Sequence, residues 1–77
     1  PAYDKLSIEM KNFDAGIYTM KMYNIIGKQV WRNTYDISGE KIIKLDVSKL
    51  RKGTYLYTIF DENGNSITTR RVMIIKP

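Results

Sequence analysis

Apolar and polar residues alternate along most of this chain, in short blocks broken by Gly, Asn, Asp and Ser. A period of two sends successive side chains to opposite faces of an extended backbone, so each block reads as a half-buried strand. Leu6, Ile8 and Met10 mark a first strand, which Asn12, Asp14 and Gly16 bring to an end. Tyr18, Met20 and Met22 mark a second. Asn24 to Lys28 then reads as a turn around Gly27, and alternation resumes with Val30, completing a hairpin. A loop is expected around Asp36 to Gly39. Beyond it Ile43, Leu45 and Val47 alternate, and Ser48 to Gly53 forms a corner with Leu50 plugged inward and Ser48 as its local cap. Tyr55, Tyr57 and Ile59 line the next strand. Asn63-Gly64 predicts a two-residue type I′ turn, after which Ile67 through Ile75 returns as the last strand.

No stretch carries a helical period. Six or seven short strands of this kind predict an all-β fold, a small immunoglobulin-like antiparallel β-sandwich burying the inner faces of two sheets. Neither an internal repeat nor a flexible linker is evident, so residues 1–77 are expected to form one domain. The chain opens with Pro1 and not with methionine, which reads as a piece excised from a longer polypeptide.

Composition narrows the chemistry. With 77 residues, 43% of them hydrophobic and 27% charged, the chain is an ordinary folded domain too small for a deep cleft. It has neither cysteine nor histidine, which removes the usual nucleophiles, bases and zinc ligands. The longest apolar run, Val72 to Ile75, is far too short to cross a bilayer, so no direct membrane insertion is expected. Thirteen basic residues against eight acidic ones give a net charge of +5. The charges are interleaved along the chain, tight only at Lys49, Arg51, Lys52 and at Arg70, Arg71, which favours a solvated surface over a nucleic-acid interface.

Asp61-Glu62-Asn63-Gly64-Asn65 begins like a calcium loop, but Ser66 stands where its glycine should be and Val72 where its closing glutamate should be. The adjacent carboxylates of Asp61 and Glu62 lie on a predicted hairpin tip, where water screens them. We therefore expect no enzyme activity, no metal and no cofactor. Among the aromatic residues, Tyr18, Tyr55 and Tyr57 fall in register with inner-face aliphatics, whereas Trp31 and Tyr23 fall out of it and are candidates for exposed stacking. The methionines are core fillers.

Four stretches, taken in order, resemble the type A C-terminal sorting domain of the type IX (Por) secretion system of Bacteroidetes. Pro1 to Ile8 is similar to its opening strand, and Met20-Lys21-Met22-Tyr23-Asn24-Ile25-Ile26-Gly27-Lys28-Gln29-Val30 to its central motif. Leu45 to Tyr55 carries Ser48, Leu50, Gly53 and Tyr55 at the family's intervals, and Arg71 to Lys76 resembles its closing strand. Arg51 stands where that family often has proline, and Asn24 where it often has aspartate.

The resemblance implies a secretion signal that leads an N-terminal passenger protein from the periplasm across the outer membrane. Cleavage by a sortase-like peptidase and surface attachment or release would follow. It implies the secretion machinery, that peptidase and a covalently linked passenger as partners, no nucleic acid, and a secreted or cell-surface destination. The expected fold-defining residues are Asn24, Gly27, Ser48, Leu50, Gly53 and Tyr55. Translocon recognition is expected at Arg70, Arg71, Val72, Ile74 and Lys76, because an edge strand also offers unpaired backbone groups, which leaves self-association possible too. The alternative is an immunoglobulin-like adhesion or carbohydrate-binding module using Trp31 and Tyr23.

Overall fold

A computed structural model describes residues 4–39 and 41–76. Six strands form: β1 (Lys5–Met10), β2 (Gly16–Asn24), β3 (Gln29–Ile37), β4 (Lys41–Asp46), β5 (Gly53–Phe60) and β6 (Ser66–Ile74). β1 and β4 make a two-stranded sheet, and the other four make a sheet in the order β3-β2-β5-β6. All pairings are antiparallel. The inner residues of both sheets share one core: Ile8 and Met10 from β1, Ile43 and Leu45 from β4, and Tyr18, Met20, Met22, Ile37, Tyr55, Ile59, Val72 and Ile74 from the larger sheet. The fold is thus the expected small β-sandwich, its layers held by the apolar half of each alternating strand.

Three local expectations are corrected. Asp36 is not in a loop, because β3 runs on to Ile37, which is fully buried. Asn63 does not take positive φ, so the turn before β6 is not type I′. Its hydrogen bonds instead run from Gly64 N–H to the Asp61 carbonyl (3.1 Å) and from Asp61 N–H to the Asn65 carbonyl (2.9 Å), while Asp61 Oδ1 accepts from the N–H groups of Asn63 and Asn65 (both 2.9 Å). Only Gly64, at φ 82°, needs the left-handed region, and the carboxylate supplies the rest of the turn.

The third correction concerns Trp31. Met22 faces Trp31 but Tyr23 faces Gln29, so Val30 is the extra residue of a β-bulge. A bulge reverses the phase of everything beyond it. Trp31 therefore lies on the same face as Met22, packs half-buried against the core and stacks on Tyr35, with centroids 6.4 Å apart at 24°. Tyr23 is half-buried on the opposite face. Both rings are half-buried, not fully exposed.

An internal repeat, not evident from the sequence, emerges from the topology. β1-β2-β3 and β4-β5-β6 are equivalent halves at a constant residue offset: Gly16 with Gly53, Tyr18 with Tyr55, Gly27 with Gly64, Ile37 with Ile74. The Tyr18 hydroxyl donates to the Asp14 carbonyl (2.6 Å), and the Tyr55 hydroxyl to the equivalent Arg51 carbonyl (2.7 Å). The first tip repeats the second, with Gly27 N–H donating to the Asn24 carbonyl and Asn24 Oδ1 accepting from Ile26 and Lys28. The bulged positions Val30 and Ile67 also correspond. Equivalent strands pair with one another, β1 with β4 and β2 with β5, and antiparallel pairing of equivalents relates the halves by a pseudo-two-fold axis.

Candidate functional site

The strand ends collect at two opposite poles. At one lie the Asn24 to Lys28 tip, the Val47 to Lys52 corner, the start of β1 and the end of β6, joined by the pairs Asn24–Tyr55, Gly53–Ile74 and Lys5–Asp46. This pole holds both of the sequence's most distinctive segments, the Ser48 to Tyr55 corner and the Arg71 to Lys76 strand.

The corner is built locally. Leu50 N–H closes back on the Val47 carbonyl (3.0 Å), which turns its half-buried side chain onto the core. Asp46 Oδ1 accepts from Ser48 N–H (2.9 Å), so the cap is Asp46 and Ser48 is its donor, the reverse of the expected assignment. Shorter by one methylene than glutamate, aspartate reaches an N–H two residues on without leaving the strand. Hydrogen bonding by the Ser48 hydroxyl and then by its N–H, ahead of the attraction of Lys5 and Lys49, holds the Asp46 carboxyl below its ordinary range. A depressed folded-state value means stability that is present at neutral pH and is lost as pH falls through that value. An NMR titration should accordingly show Asp46 protonating below the ordinary aspartate range, with the Ser48 amide shift following it; Ser48→Ala should move that midpoint up.

Gly53 takes φ 151° as the chain enters β5, and the Tyr55 hydroxyl, through its bond to the Arg51 carbonyl, ties the strand back to the corner. The Lys76 ammonium donates to the Ser48 carbonyl, so the two motif segments touch across the end of the sandwich. Beside them an open, mostly apolar depression is lined by Lys52, Gly53, Thr54, Met73, Ile74, Ile75 and Lys76.

The five candidate recognition residues do not form one patch. Among the described residues β6 pairs only with β5 and so forms an edge. Val72 and Ile74 point into the core, 7% and 1% exposed, and can offer a partner only backbone groups. Arg70 and Arg71 are both exposed but on opposite faces: Arg70 shares the inner face with its cross-strand partner Tyr57, Arg71 the outer face with Leu56. The Tyr57 phenol is raised by burial, with Arg70 acting against that shift. Lys76 is half-buried at the corner. The outward neighbours on the same strand, which the alternation could have identified, are Met73 at 53% exposed and, just beyond, Ile75 at 36%.

At the opposite pole the carboxylates gather. Ile17 N–H donates to Glu62 Oε1 (2.9 Å), and Asp61 is engaged in its own turn. Burial, then the charges of Asp14, Asp61 and Glu62, push the Tyr18 phenol up. Among the described residues this pole carries Glu9, Asp14, Asp36, Asp61 and Glu62 against Lys11 and Lys41, with Lys21 and Arg32 lining a depression beside Asp61 and Glu62, whereas the corner pole carries Lys5, Lys28, Lys49, Arg51, Lys52 and Lys76 against Asp4 and Asp46. Charges interleaved along the chain are therefore sorted by the fold into a basic end and an end of mixed charge. No group of three residues among the described carboxylates is placed to hold a metal ion.

A family model described as a secretion system C-terminal sorting domain matches residues 1–76. No curated protein and no solved structure gives a significant match. Domains of this family are type IX sorting signals, not enzymes, and the proteins that carry them are exported to the cell surface or secreted. With the matched segment running through both motif-bearing strands and the corner that joins them, this chain belongs to the C-terminal sorting domain family of that secretion system.

Proposed function

We propose that the domain carries an N-terminal passenger to the outer-membrane translocon by presenting the free margin of β6 together with its exposed basic side chains. A sortase-like peptidase then separates domain from passenger, which is released or attached to the surface. The observation that carries this reading is the meeting of the edge strand with the corner, where Lys76 is fastened to Ser48 and the outward row Arg71, Met73 and Ile75 is left open. A sheet edge supplies hydrogen-bonding groups in a fixed register, and flanking charges set the partner and its approach.

The test must leave the core intact. Arg70→Glu with Arg71→Glu alters two exposed side chains and removes no buried atom. Expressed in the passenger-bearing precursor, this variant should accumulate in the periplasm, with surface delivery reduced about tenfold or more, while the purified domain melts close to the parent. Normal delivery would overturn the reading.

A further inference from the structure

The two halves share one scaffold, so positions where they differ are free of the scaffold's demands. The clearest difference is at the hairpin tips. Both tips are five-residue turns with an Asx side chain at the first position accepting two N–H bonds and a glycine at positive φ at the fourth. Between these fixed points one tip has Glu62-Asn63 and the other Ile25-Ile26. The turn forms with polar residues there, so its geometry does not require isoleucine. Yet Ile25 and Ile26 are 79% and 82% exposed, more than any other large apolar side chain described. Two adjacent isoleucines standing in water are unfavourable unless something covers them.

Their setting indicates what does. The tip belongs to the basic pole, with Lys28 on the turn itself and Lys49, Arg51 and Lys52 on the neighbouring corner. The corner breaks the pseudo-symmetry in the same direction, since the positions equivalent to Lys49, Arg51 and Lys52 are Asn12, Asp14 and Ala15. Apolar tip and basic corner thus depart together from a common template, at the pole where β6 ends. The tip is also pre-formed: Asn24 N–H donates to the Lys28 carbonyl (2.9 Å), Gly27 N–H to the Asn24 carbonyl (3.0 Å), and the Asn24 side chain takes the amides of Ile26 and Lys28. Every backbone N–H of the turn but that of Ile25 is thereby satisfied, so most of its donors can leave water at little cost.

We propose that the Ile25-Ile26 tip is a docking plug that enters an apolar pocket with an acidic rim on a protein of the export machinery, the basic corner pairing with that rim. The proposal rests on the sorting reading and adds a second contact to the one made by β6. A protein pocket fits better than a fluid lipid surface, because a rigid tip lowers the ordering cost only where the receiving shape is also fixed. Charge around the plug sets the encounter rate and the approach, and the buried isoleucines hold the complex.

The template itself supplies the test. Ile25→Glu with Ile26→Asn copies the other tip onto this one, a sequence already shown to support the turn. In the passenger-bearing precursor, export by this variant should fall about tenfold or more with the melting temperature unchanged, and Ile25→Leu with Ile26→Leu should restore it. Normal export by the Glu/Asn variant, alongside a block by Arg70→Glu with Arg71→Glu, would remove the plug and leave the sorting reading standing. Normal export by both would remove both. Failure of the Leu pair to restore export would exclude apolar anchoring. If the purified chain sediments with vesicles of half phosphatidylglycerol and half phosphatidylcholine, and the Glu/Asn variant does not, the occupant is lipid and the protein pocket is wrong.

Discussion

Removing residues 71–76 should abolish folding and export together. The deletion takes Val72 and Ile74 out of the core, strips β5 of its partners from Gly53 to Leu56, and releases the Ser48 carbonyl from Lys76. Losing two buried aliphatic side chains alone costs roughly 4 to 8 kcal/mol. A domain of this length has only about 4 to 12 kcal/mol of total stability. Circular dichroism of the truncated chain should show no cooperative melt, and the precursor should remain in the periplasm. A folded truncated domain would mean that β6 contributes far less to the core than its burial indicates. Because the deletion unfolds the domain, its export defect cannot by itself locate the recognition surface, which is why the double arginine variant is the sharper test of function.

The second large effect is expected from Met22→Ala. Met22 is fully buried in the middle of the four-stranded sheet, with Trp31 opposite on β3 and Tyr57 opposite on β5. The two rings are part of a sheet and cannot close over the vacancy, so the cost should fall at about 2 to 5 kcal/mol, a drop in melting temperature of at least 8 °C or so. Met73→Ala, on an outward side chain 53% exposed, should change stability by no more than about 0.5 kcal/mol. A thermal melt of both variants checks the pair. Equal effects would contradict the assignment of inner and outer faces.

The turn residues explain why only part of the fold was legible along the chain. Asx side chains and glycines act within five residues of themselves, so Asn24 and Gly27 mark a turn in the sequence as clearly as in the structure. Asn63-Gly64 also marked a turn correctly but named its type wrongly, because the residue that organises it is Asp61, whose carboxylate holds the amides of Asn63 and Asn65. A search for an Asx followed three positions later by Gly would have found both tips, and with the glycine and tyrosine opening β2 and β5 it would have exposed the repeat. The few identities between halves hid it: Gly16/Gly53, Tyr18/Tyr55, Gly27/Gly64 and Ile37/Ile74 match, while other strand positions have diverged, some across the apolar and polar classes, as Ile17/Thr54 and Trp31/Thr68.

Alternation by itself determined the strands, the inner faces of β1, β2, β4 and β5, and the all-β class, since burial of one face of an extended chain is a local period-two property. The absence of cysteine and histidine, equally local, restricted the chemistry. Only the tertiary structure decided that Trp31 turns inward, because one extra residue at Val30 resets the phase of a strand and composition cannot register it. Only the tertiary structure joined Lys76 to Ser48 and drew an evenly interleaved charge pattern into a basic pole and a mixed one. Those outcomes depend on which strands become neighbours, and strand pairing is set by contacts between residues far apart in the chain.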